Sequence, residues 1–143
     1  MALLLVHAGA TLAMVGLIWF VQLVHYPLFE FASSRRFVEF AAEHQRRTAL
    51  VVAPLMLVEM GSGVFLLLAP PSGVNRALPW AGALLLALIW ASTALLQVPL
   101  HRRLSEGHDA GSLRRLVTSN WLRTGAWSLR GVLALVLIAR SAP

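Results

Sequence analysis

Two charged residues, Glu59 and Arg130, stand inside long apolar stretches of the sequence. Each lies ten residues after the start of its stretch, at residues 49–69 and 120–139. At a rise of about 1.5 Å per residue, both side chains would lie about 15 Å deep, near the centre of a bilayer. A lone charge there costs several kcal/mol, so we predict that they form an ion pair.

This pair has two interpretations. It clamps two helices together, or it presents a carboxylate or a guanidinium to a substrate or a proton path. In the second case Glu59 and Arg130 are catalytic candidates that form the buried floor of a site.

A second group of polar residues falls within about two helical turns of one level, at one end of the apolar stretches. The group comprises Gln22, His25, His44, Gln97, His101, Asn120 and Arg123. Histidine is the commonest metal ligand and a general base. His25, His44 and His101 are therefore candidate metal ligands, although their spacing matches no defined metal motif. Hydrogen-bonded histidines at the membrane interface are the alternative.

We expect His25, His101, Asn120 and Arg123 to share one polar cavity, with His44 at its mouth. Polar stripes that faced lipid separately would be costly, which favours a shared interior. In a catalytic site, His25 and His101 would act as bases, while Asn120 and Arg123 would orient oxygen atoms.

Three tryptophans, Trp19, Trp90 and Trp127, fall at similar depths between these two levels. Tryptophan usually occupies the interfacial belts, as expected here for Trp80, Trp121 and Tyr26. The deeper three, with Gln22 and Gln97, are candidates to bind a flat hydrophobic substrate or cofactor. Plain core packing is the alternative.

The composition shows what kind of protein must position these residues. Of 143 residues, 58% are hydrophobic and 13% charged, against about 25% charged in a soluble domain. Four apolar segments, at residues 2–24, 49–69, 78–100 and 120–139, are each close to the about 20 residues that span a membrane. Pro27 and Pro99 are expected to end or kink the first and third helices. The fold class is therefore all-α, a single up-and-down four-helix membrane domain.

All twelve basic residues are arginines, and they are distributed unevenly. Eight lie in the first and third connections or beside them, namely Arg35, Arg36, Arg46, Arg47, Arg102, Arg103, Arg114 and Arg115. The other side carries only Arg76 and Arg140. Positive residues favour the cytoplasmic side, so both termini are predicted to be non-cytoplasmic in an inner membrane. The chain has no nucleic-acid-binding motif, and its arginines are explained by topology.

The first connection carries its own pattern. Phenylalanines alternate with charged residues between Phe29 and Glu43, and Ser33 and Ser34 are candidates to cap a helix that starts near Arg35. The pattern predicts an amphipathic surface helix between helices one and two, or a continuous extension of helix two.

Two short stretches carry a family resemblance. Residues 98–104, Val-Pro-Leu-His-Arg-Arg-Leu, and residues 120–123, Asn-Trp-Leu-Arg, resemble the DUF1772 family of small four-helix membrane proteins, which includes fungal anthrone oxygenases. That family commonly has Asn after the Pro-Leu pair, where this chain has His101, and its last helix begins near a Trp and an Asn-x-x-Arg element, whereas here Trp121 falls inside that element. The stretches His25–Phe29 and Glu43–Arg47 are similar to features of related bacterial proteins. The resemblance implies oxygen-dependent oxidation of a flat phenolic substrate.

Two functions are the resulting hypotheses. The first is a membrane oxidoreductase or oxygenase that binds a planar lipophilic substrate in the polar cavity, with a metal ion or with no cofactor. The second is a non-catalytic subunit or assembly partner whose buried polar residues only hold the helices together. A homo-oligomer or a larger membrane complex is compatible with either.

Overall fold

The computed structural model describes residues 1–32 and 36–141, and these form four long helices. We name them α1 (Ala2–Phe31), α2 (Phe37–Leu68), α3 (Ala77–Glu106) and α4 (Ala110–Ser141). Side-chain contacts between α1 and α2 run in opposite chain directions, from His7–Ser62 to His25–His44. The described residues contain no strand, so the predicted all-α four-helix bundle is confirmed.

All four helices are long and apolar enough to cross a membrane. With 30 to 32 residues each, they reach about 45 Å at 1.5 Å per residue, which exceeds the about 30 Å hydrocarbon core. Exposed leucines, valines and phenylalanines cover the outer faces of the bundle. The chain is therefore a multi-pass membrane protein whose helix ends extend beyond the hydrocarbon.

The first connection has one of the two arrangements that the sequence predicts. The segment before residue 49 is a continuous part of α2, which begins at Phe37, rather than a separate surface helix. The predicted cap at Ser33 and Ser34 and the helix start at Arg35 lie outside the described residues.

Helices α1 and α3 each contain one π turn, at Val21–His25 and at Thr93–Gln97. In each helix a proline comes two residues after the π turn, as Pro27 and Pro99. A proline ring clashes with the carbonyl four residues earlier, and in both helices that carbonyl lies in the π turn. The wider turn accommodates the ring, so the helices run on instead of ending. Of the two predicted outcomes, an end or a kink, the prolines do not end the helices.

The π turns divide α1 and α3 into α-helical segments. α1 is α-helical over Ala2–Phe20 and Tyr26–Leu28 and ends in a 3-10 turn at Phe29–Phe31, while α3 is α-helical over Ala77–Ser92 and Val98–Glu106. The α2–α3 loop turns at Gly73, whose φ of 77° is a backbone conformation that residues with a side chain rarely adopt. Asp109 caps α4 by accepting hydrogen bonds from the Gly111 amide and the Ser112 hydroxyl.

The core is stacked in three apolar layers along the bundle. Phe29, Phe37 and Leu104 centre the layer at the arginine-rich end, which we call the basic end. Met14, Ile89 and Trp127 centre the middle layer. Leu4, Leu66 and Leu137 centre the layer at the opposite end, which we call the terminal end. The polar residues predicted to do chemistry lie between these layers.

Candidate functional site

Glu59 is fully buried at mid-bundle, and both of its carboxylate oxygens accept hydrogen bonds. Its Oε1 accepts hydrogen bonds from Thr11 Oγ1 at 3.0 Å and from Arg130 Nε at 2.8 Å. Its Oε2 accepts one from Trp127 Nε1 at 3.0 Å. α1, α2 and α4 therefore meet at one carboxylate, and the predicted Glu59–Arg130 ion pair is confirmed.

The basic end brings the three predicted histidines into one row. His25 Nε2 lies 2.6 Å from His44 Nδ1, and their ring centroids are 4.4 Å apart. The His44 and His101 centroids are 5.4 Å apart. Three helices contribute to the row, since His25 closes the π turn of α1, His44 lies on the extended start of α2, and His101 lies just after Pro99 on α3.

Tyr26 ends this row and was not predicted to belong to it. Its hydroxyl lies 3.1 Å from His101 Nε2, and the residue is 2% exposed. The prediction that Tyr26 lies in the interfacial belt was wrong, because the α1 helix continues past Pro27 and carries Tyr26 into the bundle. Its position between His25 and Pro27 gave no signal of this, since the π turn that sets its direction was not predicted.

Arg123 lies in the same layer, on α4, and is buried. Its Nε and Nη2 donate to Asn120 Oδ1 at 2.9 and 2.7 Å, and its Nη1 donates to Thr93 Oγ1 at 3.2 Å. All of these acceptors are neutral. None of the ion pairs in the described residues includes Arg123. The guanidinium therefore keeps an unbalanced positive charge, and its carbon lies 5.6 Å from the Trp127 ring centroid.

These groups face a cavity of about 170 Å³ at the basic end. Its polar lining is Tyr26, His44, Gln45, Thr48, Thr93, Gln97, His101 and Arg123. Trp127 and aliphatic side chains such as Ile18 and Val52 supply apolar walls. Gln97 Oε1 is buried without a hydrogen-bond partner among the described residues. The cavity thus combines a cation, imidazole and phenol groups, and one spare acceptor.

Only part of the predicted polar cluster lines this cavity. His44, His101, Gln97 and Arg123 do, but His25, Gln22 and Asn120 do not. Asn120 is fully buried and is held by its bonds to Arg123 and to Gln22 Oε1, the latter at 2.9 Å. Gln22 in turn donates to the Val117 carbonyl at 3.2 Å. The prediction that His25 and Asn120 share the cavity was wrong, because His25 turns outward and Asn120 stands behind Arg123.

A larger open groove of about 840 Å³ lies on the other side of His44. The end of α1 and the start of α2 form it, with Leu28, Phe31 and Phe40 among its lining. His44 and Thr48 line both the groove and the cavity. His25 lines the groove, so the His25–His44 pair separates the two spaces and His44 stands at the mouth, as predicted.

The three deep tryptophans do not form one wall. Trp127 is fully buried and lines the basic-end cavity. Trp90 lines a different cavity, toward the terminal end. Trp19 is 39% exposed, donates to Ser128 Oγ at 3.0 Å and contacts Trp121 edge-on. Its place on the outer face contradicts the predicted role for Trp19, because the bundle interior at this level is occupied by Met14 and Ile18.

The floor of the cavity is Trp127 rather than the ion pair. Neither Glu59 nor Arg130 lines the cavity. Trp127 lines it and donates a hydrogen bond to Glu59, which lies behind the indole ring. Glu59 and Arg130 therefore support this site from below and do not contact a molecule within it.

In the described residues, no group of three His, Asp or Glu side chains is arranged to hold a metal ion. The nearest nitrogens of His25 and His44 are hydrogen-bonded to each other, and His101 Nε2 is bonded to Tyr26. Metal ligation by His25, His44 and His101 stays a prediction that this arrangement does not favour.

Comparisons with protein families, with curated proteins and with solved structures find no match to this chain. The class of protein is therefore defined by the fold and by the cavity alone, as a four-helix membrane bundle with a polar interior site. The resemblance to the DUF1772 family stays a hypothesis.

Proposed function

We propose that this protein is a membrane oxidoreductase-like protein that binds a planar lipophilic molecule with an ionisable hydroxyl group, of the phenol or quinol type. The binding site is the basic-end cavity. The observation that carries the proposal is Arg123, a buried guanidinium without a carboxylate partner among the described residues, which lines a cavity together with Tyr26, His44 and His101.

A buried, unbalanced cation favours an anionic oxygen beside it. Desolvation makes an isolated charge costly, and an opposite charge within about 4–6 Å offsets that cost. Asn120 Oδ1 accepts two hydrogen bonds from the Arg123 guanidinium, so the guanidinium is oriented before a ligand binds. A bound phenol would consequently ionise more readily than in water.

Tyr26, His44 and His101 supply the proton acceptor. When the ligand O–H bond breaks, the electron pair stays on the oxygen near Arg123, and the proton passes to an imidazole nitrogen. The Tyr26 hydroxyl, 3.1 Å from His101 Nε2, is placed to relay it. A phenolate releases an electron more easily than a phenol does, so ionisation prepares the molecule for oxidation. Molecular oxygen is the oxidant that the family resemblance implies.

The shape of the site suits a flat molecule that arrives from the membrane. The cavity of about 170 Å³ is large enough only for an oxygen-bearing ring edge, while the groove of about 840 Å³ accommodates an apolar body. Phe31, Phe40 and Leu28 make the groove apolar, and His44 lines both spaces. Gln97 Oε1, which has no hydrogen-bond donor among the described residues, would accept a hydrogen bond from a second hydroxyl of the ligand.

The arginine distribution supports an orientation in an inner membrane. Eight arginines at the basic end against two at the other favour a cytoplasmic basic end and non-cytoplasmic termini. The site would then open toward the cytoplasmic leaflet. A cytoplasm-active reporter fused to the C-terminus should be inactive, and strong activity would reverse the orientation.

A non-catalytic subunit is the second candidate, and the Glu59 network favours it. Each Glu59 oxygen is bonded, and three helices are tied together by it, which is what a purely structural role requires. In that case the basic-end cavity would bind no ligand.

A hydroxyanthraquinone tests the proposal, because its visible absorption band moves to longer wavelength when its hydroxyl ionises. The detergent-purified protein is titrated at a pH where the free compound is neutral. We expect the ionised spectrum to appear saturably, and no change with unsubstituted anthraquinone. A bound compound that keeps the neutral spectrum would contradict ionisation at Arg123, and no binding would favour the structural subunit. Metal analysis of the same sample shows whether an ion accompanies the site.

A further inference from the structure

A second cavity of about 270 Å³ lies in the terminal half of the bundle, where α2, α3 and α4 meet. Most of its lining is aliphatic, including Leu66, Leu86 and Leu137. His7, Trp90 and Arg130 are its polar members. It is separate from the basic-end cavity, because Trp127 and Glu59 lie between the two.

Two hydrogen-bond donors on residues that line this cavity are unused. Arg130 is 3% exposed and donates from Nε to Glu59 and from Nη1 to the Gly82 carbonyl. Its Nη2 is buried without a partner among the described residues, and so is Trp90 Nε1. A buried donor without an acceptor costs about 1–3 kcal/mol, so two at one cavity indicate a missing acceptor atom.

The charge balance indicates what kind of acceptor fits. Glu59 neutralises Arg130 through an ion pair at 2.8 Å, so an anionic ligand would bring an unbalanced negative charge into an apolar cavity. A neutral oxygen accepts a hydrogen bond from an N–H group without this cost. A carbonyl oxygen meets that requirement.

The mouth of the cavity indicates where the ligand comes from. Met60, Val64 and Ala87, on α2 and α3, are exposed on the outer face of the bundle and also line the cavity. The cavity is slightly smaller than the about 300 Å³ at which pockets for whole small molecules begin. It therefore holds a head group while an apolar tail stays in the lipid.

We propose that this cavity is a second binding site, which takes the neutral, carbonyl-bearing head group of a membrane-dissolved molecule as the hydrogen-bond acceptor for Arg130 Nη2 and Trp90 Nε1. A quinone ring and an acyl ester of a neutral lipid are the two sources of such a carbonyl. The site is independent of the proposed ionisation at Arg123 because no residue that donates in one cavity lines the other.

The test uses the full-length protein in detergent with a short-chain benzoquinone, and with dioctanoylglycerol as the ester probe. Trp90→Phe removes one donor and keeps an aromatic side chain, while Ala83→Leu adds apolar volume at a residue that lines the cavity. We expect saturable binding of at least one probe, an affinity about tenfold lower in Trp90→Phe, and none in Ala83→Leu. Competition between the probes identifies the source of the carbonyl.

Infrared difference spectra provide a second readout, since two hydrogen bonds lower the carbonyl stretching frequency of the bound probe. The lowering should be smaller in Trp90→Phe. Both variants should still ionise the hydroxyanthraquinone, which separates this proposal from the proposed function. Equal affinities in wild type and both variants, or no binding of either probe to the folded wild type, would overturn the second site.

Discussion

Two arginines on one helix, Arg123 and Arg130, are both buried and lie two turns apart on α4, but they have different partners. Arg130 is neutralised by Glu59, whereas Arg123 is held by Asn120 and Thr93, which are neutral. Burial of a paired charge yields a stable layer, and burial of an unpaired charge yields a site with affinity for an anion. We propose that this difference in partners makes Arg123, and not Arg130, a site for an anionic ligand.

The two arginines also differ in their surroundings. Around Arg130 and Glu59 lie Thr11 and Trp127, which donate to the carboxylate, and one imidazole, His7, which is hydrogen-bonded to Ser62. Around Arg123 lie Tyr26, His44 and His101, three side chains that can exchange protons. More side chains of this kind therefore line the cavity of the unpaired cation.

The largest expected effect comes from unpairing Arg130. Glu59→Gln leaves a buried guanidinium without its carboxylate, and breaking such a pair typically costs about 3–5 kcal/mol. The free energy of unfolding in detergent should fall accordingly, and Glu59→Gln combined with Arg130→Gln should recover part of the loss. Glu43→Gln is the matched control, because that carboxylate is exposed and should matter much less. A single Glu59→Gln variant as stable as the wild type would remove the distinction between the two arginines.

A smaller effect on folding is expected at the other arginine. Arg123→Gln removes three hydrogen bonds but also an unbalanced buried charge, so its effect on unfolding should be smaller than that of Glu59→Gln. Its effect on ligand binding should be large, since a hydrogen bond to a charged group contributes about 1.5–3 kcal/mol, or about ten- to hundredfold in affinity. The affinity for hydroxyanthraquinone is measured by spectral titration. The exposed Arg114→Gln on the same helix is the control, and equal affinities in the two variants would contradict the role of Arg123.

The smallest effect on stability is expected at Asp109, a solvent-exposed carboxylate at the start of α4. Hydrogen bonds from the Ser112 hydroxyl and the Gly111 amide lower the pKa of Asp109 from its ordinary value of 3.8. Since the folded state favours the charged form, this stabilisation is present above the ordinary pKa and is lost as pH falls through the lowered one. Melting curves from pH 6 down through the lowered pKa, to about pH 2, should show that Asp109→Ala loses less stability on acidification than the wild type. Parallel curves would show that the cap contributes nothing.

Much of this arrangement could be predicted from the sequence because the membrane makes burial of charge costly. The depth of Glu59 and Arg130 fixed their pairing, and the steps of three and four residues placed Gln97, His101 and Arg123 in the interior. These predictions needed only helix geometry and the cost of charge in lipid.

The rest depended on local helix distortions and on packing, which the sequence pattern does not reveal. The π turn at Val21–His25 rotates the residues after it, so Tyr26 turns inward, while His25 at its end turns outward. Trp19 was misplaced because its predicted role rested on depth, and depth does not distinguish a side chain that faces lipid from one that faces the core. Asn120 was predicted to lie in the polar interior, but its two hydrogen bonds with Arg123 depend on side-chain geometry that the sequence does not show.

The most direct test of a functional Arg123 gives this residue the charged partner that it lacks. Asn120 Oδ1 already accepts two hydrogen bonds from the guanidinium, so Asn120→Asp places a carboxylate there with almost no change in shape. We predict a folded protein in which hydroxyanthraquinone no longer ionises on binding, while Glu59 and Arg130 are untouched. An Asn120→Asp variant that melts no lower than the wild type and still yields the ionised spectrum with the same affinity would contradict this role of Arg123.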